Sequence, residues 1–211
     1  MPILLFLVDT SASMAQRNYQ GVSALDTAKA LIDDLYKQRN RDVQARGGDR
    51  YMLLSTEDFP ACVKTGWREG IQVLKEQLKS LRPCGRHPLK AGIISAFQFV
   101  NMNRSQTGVD NYGHGRYPFY QEPVFIITIS DANSCSDIPS DFEDAAANKP
   151  PAPGTELTEE LFRWDQRMFS IVLRMGAELP SGMPSDAFTR TPAVGPDSGP
   201  LQRICASTGG R

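Results

Sequence analysis

Six consecutive apolar residues, Ile3-Leu4-Leu5-Phe6-Leu7-Val8, stop abruptly at Asp9-Thr10-Ser11-Ala12-Ser13. A run this short and this uniformly apolar is the pattern of a strand buried on both faces, and such strands lie inside parallel sheets covered by helices on either side. It falls far short of the roughly 20 residues that cross a bilayer. It also lacks the charged start and small-residue cleavage site of a secretory signal, so no membrane partner is expected. The polar stretch behind the run is where an open α/β sheet carries function, because ligands sit outside the carboxyl ends of its strands.

The remaining pattern agrees with that sheet. Leu25, Ala28, Leu31, Ile32 and Leu35 recur at helical spacing and predict a helix ending near the charged stretch Lys37 to Arg41. Tyr51 to Ser55 and Ala61 to Lys64 read as strands joined by Glu57-Asp58-Phe59-Pro60, a turn short enough to make the pair antiparallel at one sheet edge. Ile71, Leu74, Leu78 and Leu81 predict a second helix stopped by Pro83, and Leu89, Ile93, Ala96, Phe97 and Val100 a third beginning after Pro88. Val124 to Ile129, ending in Ser130-Asp131, and Phe169 to Leu173 are further buried strands, and Leu201 to Ala206 a short helix. The expected fold is a doubly wound, mostly parallel α/β sheet with one antiparallel edge strand and helices on both faces.

At 211 residues the chain suits one domain, residues 1–211, with long loops over about 133–154 and 176–200. Because the last helical candidate runs straight into Gly209-Gly210-Arg211, where another element normally follows, an amino-terminal fragment of a longer chain is expected. Lys and Arg number 23 against 24 acids, a net charge of -1, which argues against a surface built for direct nucleic-acid capture. Cys62, Cys84, Cys135 and Cys205 form no C-x-x-C pair and fit reduced thiols in cytosol or nucleus.

The chemistry concentrates in the first loop. Asp9-x-Ser11-x-Ser13 sets a carboxylate and two hydroxyls on alternate residues, so three oxygens can turn upon one hard cation. Asp131 ends another strand and joins them if the two strands are neighbours. An all-oxygen set suits Mg²⁺ or Mn²⁺ better than Zn²⁺. The plainer alternative is that Ser11 and Ser13 cap the next helical turn while Asp9 satisfies loop amides. Cys84-x-x-His87 is half of a zinc pattern without a second pair, and His114 between two glycines reads as exposed. With two histidines and no G-x-S-x-G, a triad hydrolase is not expected, and Ser11 stands where an aspartyl phosphatase needs its general acid. Tyr112, Arg116, Tyr117, Phe119 and Tyr120 form an aromatic loop that either binds a partner or packs on the sheet, packing being favoured.

Leu4 to Met14, with Asp9, Ser11 and Ser13, resembles the D-x-S-x-S start of a von Willebrand factor type A domain, and Asp131 matches that family's second acid. The resemblance implies a metal-ion-dependent adhesion site, at which the cation completes its shell with an acidic group of a partner. Two departures stand out. The family also takes a Thr from the loop before the third helix, and here that loop reads Gly85-Arg86-His87-Pro88-Leu89; and Asp131 is followed by Ala132-Asn133 instead of Gly and a hydroxyl residue. The expected site is therefore degenerate, and the loop at Ala132 should have less backbone freedom. Asp26 to Lys29, Gly48 to Leu53, Gly108 to Arg116 and Phe162 to Arg167 further resemble the amino-terminal domain of the Integrator complex subunit 6 family. That resemblance implies a nuclear, non-catalytic protein-protein interaction scaffold acting in RNA polymerase II transcript processing, including small nuclear RNA 3′ ends and promoter-proximal termination. Its implied partners are other Integrator subunits and protein phosphatase 2A subunits. The alternative is an independent metal-ion-dependent adhesion module that binds acidic groups.

Overall fold

The computed structural model describes residues 2–18, 20–43, 48–106, 110–111, 115–116, 123–133, 166–174 and 199–210. Strand β1 (Ile3–Val8) is buried along its whole length. Its alternate residues serve two cores: Ile3, Leu5 and Leu7 face one layer, and Leu4, Phe6 and Val8 the other. That is why the run is apolar throughout.

Helix α1 (Ala24–Arg41) starts in a capping box, with Ser23 Oγ accepting from Asp26 N and the Asp26 carboxylate accepting from Ser23 N. Ser23 is also the main reason the Asp26 carboxyl is held below its usual range. Leu25, Ala28 and Ile32 are buried as expected, whereas Leu31 lies on the outer side, 38% exposed. Strand β2 (Arg50–Ser55) pairs antiparallel with β3 (Val63–Thr65). β3 begins two residues later than predicted, because Cys62 N and Val63 N bond back to Asp58 O and Pro60 O and keep Ala61-Cys62 in the turn. Helices α2 (Ile71–Ser80) and α3 (Leu89–Gln106) stand where the apolar spacing puts them. The α2 carboxyl end is tied to α1 by Lys29 Nζ, which donates to Leu81 O at 2.8 Å and Lys79 O at 3.3 Å.

Two-residue strands β4 (Asp110–Asn111) and β5 (Gly115–Arg116) form an antiparallel ladder within a segment the sequence predicts to be loop. Most of the aromatic loop, His114, Cys135, Phe162, Trp164 and the greater part of both predicted long loops lie outside the described residues. Strand β6 (Val124–Ser130) matches prediction with one added residue. Strand β7 (Gln166–Val172) starts three residues before the predicted Phe169. It alternates buried Gln166, exposed Arg167 and buried Met168, so an apolar run could not reveal its start; Gln166 is accommodated by donating to Asn101 Oδ1 at 2.7 Å. Helix α4 (Gly199–Ser207) takes in Gly199 and Pro200, assigned to loop from sequence; Pro is tolerated there because a first-turn N–H has no helical partner. Its end seats against β7, where a Cβ on Gly210 would lie 1.7 Å from Met168 O.

The sheet order is β3-β2-β1-β6-β7, parallel except at β3, as expected for the doubly wound class. Helices α3 and α4 cover one face with Leu89, Ile93, Phe97, Leu201 and Ile204; α1 and α2 cover the other with Leu25, Ile32, Leu74 and Leu78. Among the described residues no helix is long and apolar enough to cross a membrane. Strand order reverses between β1 and β6, which opens a crevice at their carboxyl ends.

Candidate functional site

Three loops meet at that crevice. β1 and β6 are neighbours in register, Val8 opposite Ile129, and Asp9 N prolongs the ladder by donating to Ile129 O at 2.9 Å. Asp9 and Asp131 therefore leave adjacent strands at the same end, as the sequence reading required.

Asp9 is fully buried. Its Oδ1 accepts from Ser11 N at 2.8 Å and from Thr56 Oγ1 at 3.4 Å, and its Oδ2 accepts from Ser130 Oγ at 2.6 Å. One carboxylate thus links the ends of β1, β2 and β6. Thr56 Oγ1 in turn accepts from Thr10 N at 3.1 Å, and Ser130 Oγ accepts from Ala132 N at 3.0 Å. Neither Thr56 nor Ser130 was assigned a role from sequence. The available signal is that β2 and β6 each end an apolar run in buried hydroxyl residues, Ser55-Thr56 and Ser130.

Ser11 precedes a short 3-10 turn, Ala12–Ala15, but its side chain makes no capping bond; its Oγ lies 2.9 Å from Ser13 Oγ. The capping alternative therefore holds only for Asp9, which does satisfy a loop amide. Asp131 is also buried, and its carboxylate accepts from Asn133 N at 3.0 Å and from Asn133 Nδ2. Between them Ala132 has φ 64°, the left-handed conformation that glycine adopts freely. The expected loss of backbone freedom at Ala132 is thus met by strain, not by a different path.

The third loop joins α2 to α3 and is tied to the first: Cys84 N donates to Thr10 O at 2.7 Å, and Ala12 N to Gly85 O at 2.9 Å. It offers no hydroxyl. His87 Nε2 is buried without a hydrogen-bond partner, while Arg82 and Arg86 are exposed.

The family resemblance implies a hard divalent cation here, and the geometry fits it only in part. Mg²⁺ with ligands at roughly 2.0–2.1 Å places adjacent octahedral oxygens about 2.9 Å apart, and Ser11 Oγ and Ser13 Oγ stand 2.9 Å apart. That spacing would allow two corners of a shell, and it is equally that of the hydroxyl–hydroxyl hydrogen bond the pair makes. The carboxylates, however, already accept protein donors, and the third loop contains His87 and Arg86 but no hydroxyl residue. Among the described residues no group of three His, Cys, Asp or Glu side chains is placed to hold a metal. This donor set does not fit a firmly held resident ion.

Residues 4–133 match the von Willebrand factor type A domain family. The chain belongs to that family. Its fold is similar to that of the BatB protein of Bacteroides thetaiotaomicron, with a TM-score of 0.58 at 17% identity over 100% of this chain and 88% of that one. In sequence it is similar to Integrator complex subunit 6 of Homo sapiens and of Mus musculus, each 44% identical over 213 residues, and to that of Drosophila melanogaster, 42% identical over 218. All of the chain is matched, and it spans 23% of the human and mouse proteins and 16% of the Drosophila protein.

Proposed function

We propose that this type A domain is a non-catalytic scaffold of the Integrator subunit 6 type, docking other Integrator subunits in the nucleus during RNA polymerase II transcript processing. The observation that carries this reading is identity of 43–44% sustained along the whole chain to mouse and human relatives named Integrator complex subunit 6 or Integrator complex subunit 6-like. A binding role is further supported by the site's chemistry. Asp9, Thr56 and Ser130 are engaged with one another and with backbone amides, and no imidazole contacts the Ser11 or Ser13 hydroxyl among the described residues, so no activated nucleophile is in place. Protein phosphatase 2A subunits are proposed as further members of the same assembly.

In this reading Asp9, Ser11, Ser13 and Asp131 form a degenerate adhesion site, with Mg²⁺ or Mn²⁺ as a weak, exchangeable occupant of the Ser11 and Ser13 corner. The test is affinity capture from nuclear extract with the tagged 211-residue chain, in Mg²⁺ and in chelator, with retained proteins identified by mass spectrometry. Integrator subunits recovered in both buffers is the expected result. Their absence from both overturns the assignment.

A further inference from the structure

Among the described residues, one side chain and its own backbone hold both oxygens of the buried Asp131 carboxylate. Asn133 N donates to Oδ1 at 3.0 Å, and the Asn133 side-chain amide donates to Oδ2. The left-handed backbone of Ala132, φ 64°, lies between the two and turns Asn133 back over Asp131. Asp9 is engaged differently, by the hydroxyls of Thr56 and Ser130, which are buried. That difference in donor matters to a cation. The hydroxyls of Ser11, Ser13, Thr56 and Ser130 hold lone pairs as well as a hydrogen, and a turn about one bond presents oxygen to a metal ion. The Asn133 Nδ2 has two hydrogens and no lone pair to give, so it sets positive charge against Asp131 Oδ2, on an oxygen that a cation would take. Flipped, the amide would set its own oxygen against the carboxylate, which repels it.

We infer that Asn133 is an internal latch that keeps divalent cations off Asp131, its amide nitrogen standing in for the ion. The inference deepens the degenerate-site reading and rests on it. Two buried acids leave adjacent strands at one end of the sheet, an arrangement that by charge alone favours a divalent ion. What opposes the ion at Asp131 is removable. Asn133 is exposed, so its side chain can swing into water, whereas Thr56 and Ser130 cannot leave Asp9 without breaking ties between strands. Truncating the Asn133 side chain should therefore free Asp131 Oδ2 without loosening the sheet, because the bond to Oδ1 comes from the backbone and survives the change.

Mn²⁺ is the probe, titrated into the 211-residue chain, with the free ion read from its paramagnetic resonance signal. The unsubstituted chain should take up Mn²⁺ only in the millimolar range. Asn133→Ala and Asn133→Ser should each bind about tenfold tighter or more, the return expected for freeing a carboxylate oxygen from a charge-assisted hydrogen bond. Since Asn133 is exposed, an unchanged melting temperature without metal shows that both variants still fold. Adding Asp131→Asn to Asn133→Ala should return the affinity to its starting value. Mn²⁺ held by the unsubstituted chain at micromolar levels overturns the inference, because a working latch forbids it. Equal uptake by the chain and both variants overturns it too, as does a gain that survives Asp131→Asn. Integrator subunits captured alongside an unchanged Mn²⁺ titration would sink the latch and leave the scaffold reading standing.

Discussion

Asp9 and Asp131 occupy equivalent places, each one residue past the end of a parallel strand and each buried, yet they are held in different ways. Among the described residues, Asp131 accepts from Asn133 alone, two residues onward. Asp9 accepts from its own loop, from Thr56 beyond β2 and from Ser130 at the end of β6, a partner 121 residues away. The first acid is a clamp across three strands, and the second shapes one turn. The two carboxylates at this end of the sheet thus divide into an architectural group and a local one, and a third loop without a hydroxyl leaves the first intact.

Substitutions can break that contrast, and they rank by how many donors each strands. Asp9→Ala removes the acceptor of two buried hydroxyls and an amide, so unfolding in urea should show a loss of about 3 kcal/mol or more. Ser130→Ala removes one donor to Asp9 and one acceptor for Ala132 N, and should cost about 1–2 kcal/mol by the same measurement. Among the described residues, Asp131→Ala strands the neighbouring Asn133 groups alone, which water can reach, and about 1 kcal/mol or less is expected. A loss at Asp131 equal to that at Asp9 would erase the distinction. Smallest is Ala132→Gly. Relief of left-handed strain of about 1–2 kcal/mol is offset by the glycine's added freedom in the unfolded chain and by the loss of a fully buried methyl of about 0.8 kcal/mol, so stability should stay within about 0.5 kcal/mol of the starting value.

The same contrast marks what the sequence could disclose. The Ile3–Val8 run and the helix periodicities were legible because burial on two faces, or on one stripe, leaves a local pattern. Asp9, Ser11, Ser13 and Asp131 were legible as a motif, and strand order did bring them to one end of the sheet. Thr56 and Ser130 were not, because their bonds to Asp9 join residues 47 and 121 positions apart and spacing carries no trace of them. The start of β7 was hidden for a related reason: Gln166 is buried by virtue of Asn101, a distant partner. Periodicity reports burial against solvent, whereas polar pairing inside a core is visible only once the chain is folded.

A double-mutant cycle between Asp9→Ala and Ser130→Ala, read by equilibrium urea unfolding, tests the clamp most directly. If Asp9 holds β1 to β6 through the Ser130 hydroxyl, the two losses will fall short of additive by about 1–2 kcal/mol, because the second substitution removes a bond already broken. Additive losses would mean that the two side chains act independently, and the carboxylate would then have no share in joining the strands.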